Sequence, residues 1–290
     1  MIRGPWGVPR AICYGFGMRF ESDVLSIERH DHVGMLWLDR PEKRNAMSRD
    51  LWQSLPRAID ALLSDPEVRV IVLAGRGKSF CVGLDLTDAM MGEGGSHPSR
   101  AVANLAQMEV TTAFQEAITA VADCPVPVIA AIHGHCLGGG IDLITACDVR
   151  LASADAIFSV RETRIGIVAD VGTLQRLPKV IPAGQVAELA YTGKDIDAAR
   201  AEKIGLVNDV YPDLDQTLSA ARSMAGEIAG NSPMAVRGTK FVLNKSENLT
   251  TEQSLLLNGL WTMATSLQSN DLREAVAAFM ERRPANFTGT

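Results

Sequence analysis

Ten consecutive residues, His133-Gly134-His135-Cys136-Leu137-Gly138-Gly139-Gly140-Ile141-Asp142, set three adjoining glycines and a carboxylate just after a β-branched apolar run, residues 126–132. Such a run suits a buried strand, and glycines following it let the backbone turn sharply and approach a ligand closely. Where a helix starts there, its first N–H groups lack intrahelical acceptors and carry partial positive charge, which suits them to a developing oxyanion. The same residues satisfy a plainer reading, in which glycine serves close packing and Asp142 complements the helix dipole. A second glycine loop, residues 75–83, leads into Phe80-Cys81-Val82-Gly83-Leu84-Asp85-Leu86 and offers a second set of oxyanion donors.

Asp142 falls in the first turn of that helix, and the loop over residues 161–172 bears two further carboxylates, Glu162 and Asp170. Carboxyl groups in unlike environments divide the roles of acid and base. Taken singly, Asp170 can equally cap a helix beginning near Val171, and Glu162 can be a solvated loop residue. His133 and His135 beside Cys136 lack further spaced ligands, so packing is expected and no metal. Gly75-Arg76-Gly77-Lys78-Ser79 is like the end of a phosphate-binding loop, but Val72 stands where its first glycine belongs, and the glycine spacing of dinucleotide sites is absent. Both nucleotide readings are discarded.

The elements that must position these groups alternate between strand and helix. Residues 24–28 and 33–38 read as two strands around a polar connection, and residues 70–74 and 128–132 as short buried strands delivering the two glycine turns. Ser48 is placed to cap a helix carrying Leu51, Leu55, Ile59 and Leu62, with Met47 and Trp52 as a hydrophobic staple and Pro56 expected to bend it. Residues 90–100 read as a glycine-rich surface insertion before a helix marked by Val110, Phe114, Ala117, Ile118 and Val121, ended by Pro125 and Pro127. Strands are expected at residues 149–152, 157–160 and 207–211, no regular element at 161–172, and helices at 171–180, 183–192 and 198–204. From Leu214 the chain reads as nearly all helical, and Leu255, Leu256, Leu257, Leu260, Trp261 and Leu267 carry more apolar surface than a terminal helix buries alone.

At 290 residues, 47% hydrophobic and 21% charged, the chain suits a large core rather than disorder. A net charge of -6 and 5% aromatic content give no global nucleic-acid footprint, so an anionic ligand must meet local positive charge; the cluster Arg40, Lys43 and Arg44 reads first as a solvated loop and second as a place to meet phosphate. Five cysteines without C-x-x-C spacing point to reduced, packing thiols, and no apolar run reaches membrane-spanning length. Residues 1–20 contain Arg3, Arg10 and Arg19 and no acid, which loosely fits an organelle transit peptide but lacks its serines; an upstream start, with Met18 near the natural beginning, fits better. A cytoplasmic location is expected, or a mitochondrial one if that segment is an address.

The two glycine turns, Arg40-Pro41 followed by Asn45-Ala46, and the tail Phe287-Thr288-Gly289 resemble the enoyl-CoA hydratase/isomerase (crotonase) superfamily, over essentially everything after residue 20. The resemblance implies an α/β fold, a crotonase-type spiral of β-β-α units with a C-terminal helical trimerisation region, assembled as a homotrimer or homohexamer. It divides the chain into an extension (residues 1–20), a core domain (21–212) and a helical region (213–290). It implies an acyl-CoA thioester as substrate, with coenzyme A part of that substrate and no separate cofactor or metal. The oxyanion hole maps onto the backbone N–H groups of Leu84 and Gly139, each such donor being worth about 3 kcal/mol in the transition state. Substrate-binding positions map onto Arg40, Arg44, Ala46, Gly83, Asp85 and Gly138.

Hydratases of the superfamily carry two glutamates, at the positions of Asp142 and Glu162, and a Pro-Gly-Ala-Gly-Gly segment where this chain reads Ala169-Asp170-Val171-Gly172-Thr173. That stretch and its continuation, Leu174-Gln175-Arg176-Leu177-Pro178-Lys179-Val180, are similar instead to the Δ3,5-Δ2,4-dienoyl-CoA isomerases, whose three acidic positions match Asp142, Glu162 and Asp170. The likeness implies that Glu162 and Asp170 transfer protons at C2 and C6 of a 3,5-dienoyl-CoA in fatty acid β-oxidation. Asp142 would lie nearby, and repulsion plus burial would raise a carboxyl pKa. The alternatives are a hydratase adding water to 2-enoyl-CoA and a non-catalytic or RNA-binding member, the latter disfavoured by the acidic balance.

Overall fold

The computed structural model describes residues 20–91 and 98–290; the N-terminal arginines Arg3, Arg10 and Arg19, Cys13 and residues 92–97 of the expected insertion lie outside the described residues. In chain order the strands are β1 (Leu25–His30), β2 (Val33–Leu38), β3 (Val70–Gly75), β4 (Val128–Ile132), β5 (His135–Leu137), β6 (Val149–Ser153), β7 (Ile157–Ser159), β8 (Ile196–Asp197) and β9 (Asp209–Tyr211). β1 and β2 form an antiparallel hairpin, and β3, β4, β6 and β9 extend it in parallel to give the order β1-β2-β3-β4-β6-β9. A second, three-stranded sheet has the order β5-β7-β8.

The central strands β2, β3 and β4 are buried on both faces, which explains their near-continuous apolar runs. Leu36, Leu38, Ile71, Leu73, Ala130 and Ile132 enter one core, while the alternating residues Met35, Trp37, Val70, Val72, Ile129 and Ala131 enter the other. The first core is covered by α1 (Arg49–Leu63), α3 (Arg100–Ala122) and α4 (Gly139–Thr145); the short helix α2 (Leu86–Met91) precedes α3. Ser48 caps α1 by accepting the Leu51 N–H at 3.3 Å, an interaction worth about 1 kcal/mol. Pro56 does not break this helix, because buried Leu51, Leu55, Ile59 and Leu62 hold it across the one hydrogen bond that proline removes.

β5 lies inside what the sequence shows only as a turn. Three residues are too few to display a period, and the strand forms by pairing with β7 and, through a bridge from Cys136, with Cys81. The loop after β7 is also more regular than expected: Glu162–Ile165 is a 3-10 turn closed by Gly166 at φ 80°. The helix expected over residues 171–180 is α5 (Thr173–Arg176) followed by a 3-10 turn, Leu177–Lys179, since Pro178 cannot donate an α-helical hydrogen bond.

The remaining helices are α6 (Ala183–Thr192), α7 (Ala198–Lys203), α8 (Leu214–Ala229), α9 (Pro233–Ser246), α10 (Thr251–Ala264) and α11 (Asn270–Glu281). α8 closes the second core with Ala221, Ala225 and Ala229, one small residue per turn against the sheet. α9 and α10 meet through Phe241 stacked on Trp261 at 4.7 Å. α10 buries no residue, and its Leu255, Leu256, Leu260 and Met263 stay exposed, as do Phe279 and Met280 of α11. No described helix is long and apolar enough to cross a membrane.

Candidate active site

The two glycine turns run side by side. Cys81 N–H donates to the His135 carbonyl at 3.0 Å and Leu137 N–H to the Cys81 carbonyl at 2.9 Å, so Leu84 and Gly139, a few residues further on, emerge together. The approach requires glycine: Gly83 has φ 89°, and a Cβ there would lie 2.9 Å from the Leu137 carbonyl oxygen. Hydrogen bonds from Met47 N–H to the Gly83 carbonyl (2.8 Å) and from Asp85 N–H to the Met47 carbonyl (3.1 Å) flank Leu84 and leave its own N–H without an acceptor among the described residues. Gly139 is the first residue of α4, and its N–H is likewise unpaired among the described residues. Both residues are half-exposed. Met47, Trp52 and Phe114, the last two stacked at 4.8 Å, form an apolar wall; Met47 and Trp52 adjoin Gly139.

The loop before α1 is locked onto this site. Asn45 is fully buried at φ 57°; it accepts the Arg40 N–H and donates to the carbonyls of Arg76, Ser79 and Phe80. Arg40 donates to the Ala46 carbonyl at 2.8 Å and pairs with Asp85 at 3.0 Å. Burial opposes ionisation of Asp85, but Arg40 and the N–H groups of Asp88 and Thr87 outweigh it and hold the carboxyl below its ordinary value. The structure therefore gathers Arg40, Ala46, Gly83, Asp85 and Gly138 around the two donors, with the Arg40 guanidinium engaged inside the protein. Arg44 stays exposed on the loop at φ 51°.

The three carboxylates come together from three elements and differ in setting. Asp142, in the first turn of α4, is 2% exposed, and its Oδ1 accepts the Thr173 N–H at 2.5 Å. Burial pushes its pKa up to about 6; the Thr173 hydrogen bond and Arg176 work against the rise, and Asp170 adds to it. Glu162 opens its 3-10 turn buried, with Oε2 unpaired and Oε1 3.4 Å from where a Cβ on Gly138 would stand. Burial raises it to about 7, with smaller contributions from the charges of Asp142 and Asp170. Asp170 is exposed, and its carbonyl accepts Gln115 Nε2 at 2.6 Å.

Two plainer readings do not hold. α5 begins at Thr173, two residues later than expected, and the acceptor for the Thr173 N–H is Asp142, so Asp170 is not its cap. Glu162 is 8% exposed and is not a solvated loop residue. The site thus offers a buried carboxyl raised to about 7, an exposed acidic side chain, and two amide N–H groups without acceptors among the described residues. That set can remove a proton from carbon, hold the resulting oxyanion and return a proton elsewhere.

Residues 28–290 match the sequence profile of the enoyl-CoA hydratase/isomerase family. The chain belongs to the enoyl-CoA hydratase/isomerase family. Its relatives include the mitochondrial Delta(3,5)-Delta(2,4)-dienoyl-CoA isomerase of Dictyostelium discoideum, 42% identical over 91% of this chain and 90% of that protein. The peroxisomal protein of the same name from Arabidopsis thaliana is 42% identical over 91% of this chain and 96% of its own. Among solved structures, enoyl-CoA hydratase from Bacillus anthracis superposes with a TM-score of 0.83 at 30% identity, covering 92% of this chain and all (100%) of that one. The crotonase-type α/β architecture that the resemblance implied is the one observed.

Two positions in this family member carry weight that the sequence reading did not give them. Asn45 is the hub of both loops; its signal was an Asn in a tight polar turn, where αL backbone is tolerated. Thr173 orients Asp142 through a backbone N–H, which leaves no mark on residue type. His133 Nε2–H donates to the Gly77 carbonyl (3.0 Å) and His135 Nδ1 meets Ser79 Oγ (3.4 Å), so both histidines serve loop packing.

Proposed function

We propose that this protein is an acyl-CoA isomerase that converts 3,5-dienoyl-CoA to 2,4-dienoyl-CoA. One of Glu162 and Asp170 removes a proton from C2; the electron pair delocalises into the thioester oxygen, which the Leu84 and Gly139 N–H groups hold as a dienolate. The other group delivers a proton to C6, the double bonds settle in conjugation at C2 and C4, and no net proton is gained or lost. Glu162, at about 7, is matched to either role at neutral pH. Asp142 orients the turn that follows Asp170 and adds negative charge beside Glu162.

The observation that carries this reading is the third carboxylate. Asp170 has no structural partner for its side chain among the described hydrogen bonds, yet it lies within electrostatic reach of both other acids. Water addition needs only one carboxylate pair, whereas transfer between C2 and C6 needs separated groups. The names of the similar dienoyl-CoA isomerases support the same choice. Exposed Leu255, Leu256, Leu260, Phe279 and Met280 support a homotrimer or a hexamer of two trimers.

The test is to mix purified protein with 3,5-dienoyl-CoA and follow the ultraviolet absorbance of a conjugated 2,4-dienoyl thioester, with 2-enoyl-CoA in parallel. Growth of that absorbance supports isomerisation; hydration of 2-enoyl-CoA alone identifies a hydratase.

A further inference from the structure

The carboxylate of Asp170 sits on a segment with few ties of its own. Residues 164–168 are exposed, and from Val168 to Gly172 no main-chain N–H donates to another main-chain group among the described residues. The turn is tied instead to α3. Gln115 Nε2 donates to the Asp170 carbonyl at 2.6 Å, and one helical turn later Thr119 Oγ1 accepts Arg176 Nη2 at 2.9 Å. Arg176 lies over Gly172, where a Cβ would come within 1.8 Å of its Nη1, and the guanidinium also reaches the Val171 carbonyl at 3.5 Å. Both ends of the turn are thereby strapped to the same face of one helix. That helix is anchored below by Phe114 stacked on Trp52 and by buried Ala117, Ile118 and Val121.

We propose that Gln115 is a positioning residue for proton transfer by Asp170, setting where the carboxylate stands relative to the oxyanion donors while leaving the placement of Glu162 unchanged. This rests on the isomerase reading above. Glu162 draws its placement from its own 3-10 turn, whose backbone hydrogen bonds run within residues 161–167. Loss of the Gln115 tie therefore separates the two half-reactions. A displacement of about 1 Å at a reacting group costs on the order of a hundredfold in rate.

The experiment measures deuterium incorporation at C2 and C6 by NMR in heavy water, starting from each isomer in turn, for wild type, Asp170→Asn, Gln115→Leu and Gln115→Lys. Asp170→Asn identifies the carbon that Asp170 serves. Gln115 is exposed, so leucine there opens no cavity, and an unchanged melting temperature checks the fold. Gln115→Leu is expected to lower exchange at the Asp170 carbon at least about tenfold, to keep exchange at the other carbon within about twofold, and to leave KM unchanged. Gln115→Lys, which keeps a donor, should restore much of the loss. An equal fall at both carbons, or no fall at either, overturns the proposal. A wild type that neither isomerises nor exchanges overturns the isomerase reading instead.

Discussion

The Asp142 carboxylate accepts the backbone N–H of Thr173 at 2.5 Å, which makes a buried acid the cap of the helix that follows Asp170. Substitution can separate its two effects. An Asp142→Asn variant keeps an amide oxygen for the Thr173 N–H but loses the charge that helps raise Glu162 from its ordinary range to about 7. The limb of the kcat/KM profile that reports Glu162 should move to lower pH while remaining above the ordinary glutamate range, because burial is the larger cause. Unchanged limbs would show that the two acids are not coupled.

Stability should carry the same signature. Glu162 and Asp142 titrate higher folded, at about 7 and about 6, than the ~4.3 and ~3.9 of unfolded chains. Their favourable contribution is complete below the unfolded values and is lost as pH rises through the folded ones, levelling off above about 7. Glu162→Gln cannot ionise, so the stability of the variant relative to wild type, measured by urea unfolding, should rise between about pH 4 and pH 7. A difference independent of pH would contradict the assignment.

Gly83→Ala should damage the donor pair more than the fold. The new methyl meets the Leu137 carbonyl in a backbone at φ 89°, so the turn must shift and carry Leu84 away from Gly139. Loss of one oxyanion donor lowers kcat by about 100- to 1,000-fold. Steady-state kinetics showing a rise in KM with kcat intact would place Gly83 in binding alone.

Asn45→Ala removes one acceptor and a donor shared among three carbonyls at a fully buried position. Leaving such groups unpaired costs about 1–3 kcal/mol each, so unfolding free energy should fall by roughly 3 kcal/mol or more. A loss near zero would mean that the two loops hold each other without it.

Much of this architecture is legible in residue order. Alternating apolar residues in β2, β3 and β4 mark both cores, Ser48 marks the start of α1, and the glycines mark the two turns. What order does not show is set by pairing across space. β5 exists because Cys136 and its neighbours meet Cys81 and β7; Asp142 rather than Asp170 caps α5 because α4 delivers it there; and Arg40, in what reads as a solvated polar loop, meets Asp85 forty-five positions away. Composition also says nothing of Gln115, whose significance lies in the carbonyl it reaches on a distant turn.

The role of Asp170 is tested most directly by comparing Asp170→Asn with wild type on both substrates. Isomerisation of 3,5-dienoyl-CoA, followed by 2,4-dienoyl absorbance, should fall by about 100- to 10,000-fold, the range for losing a general acid or base, while any hydration of 2-enoyl-CoA stays within about threefold. An isomerisation rate unchanged by the substitution, or a wild type that only hydrates, would contradict the account.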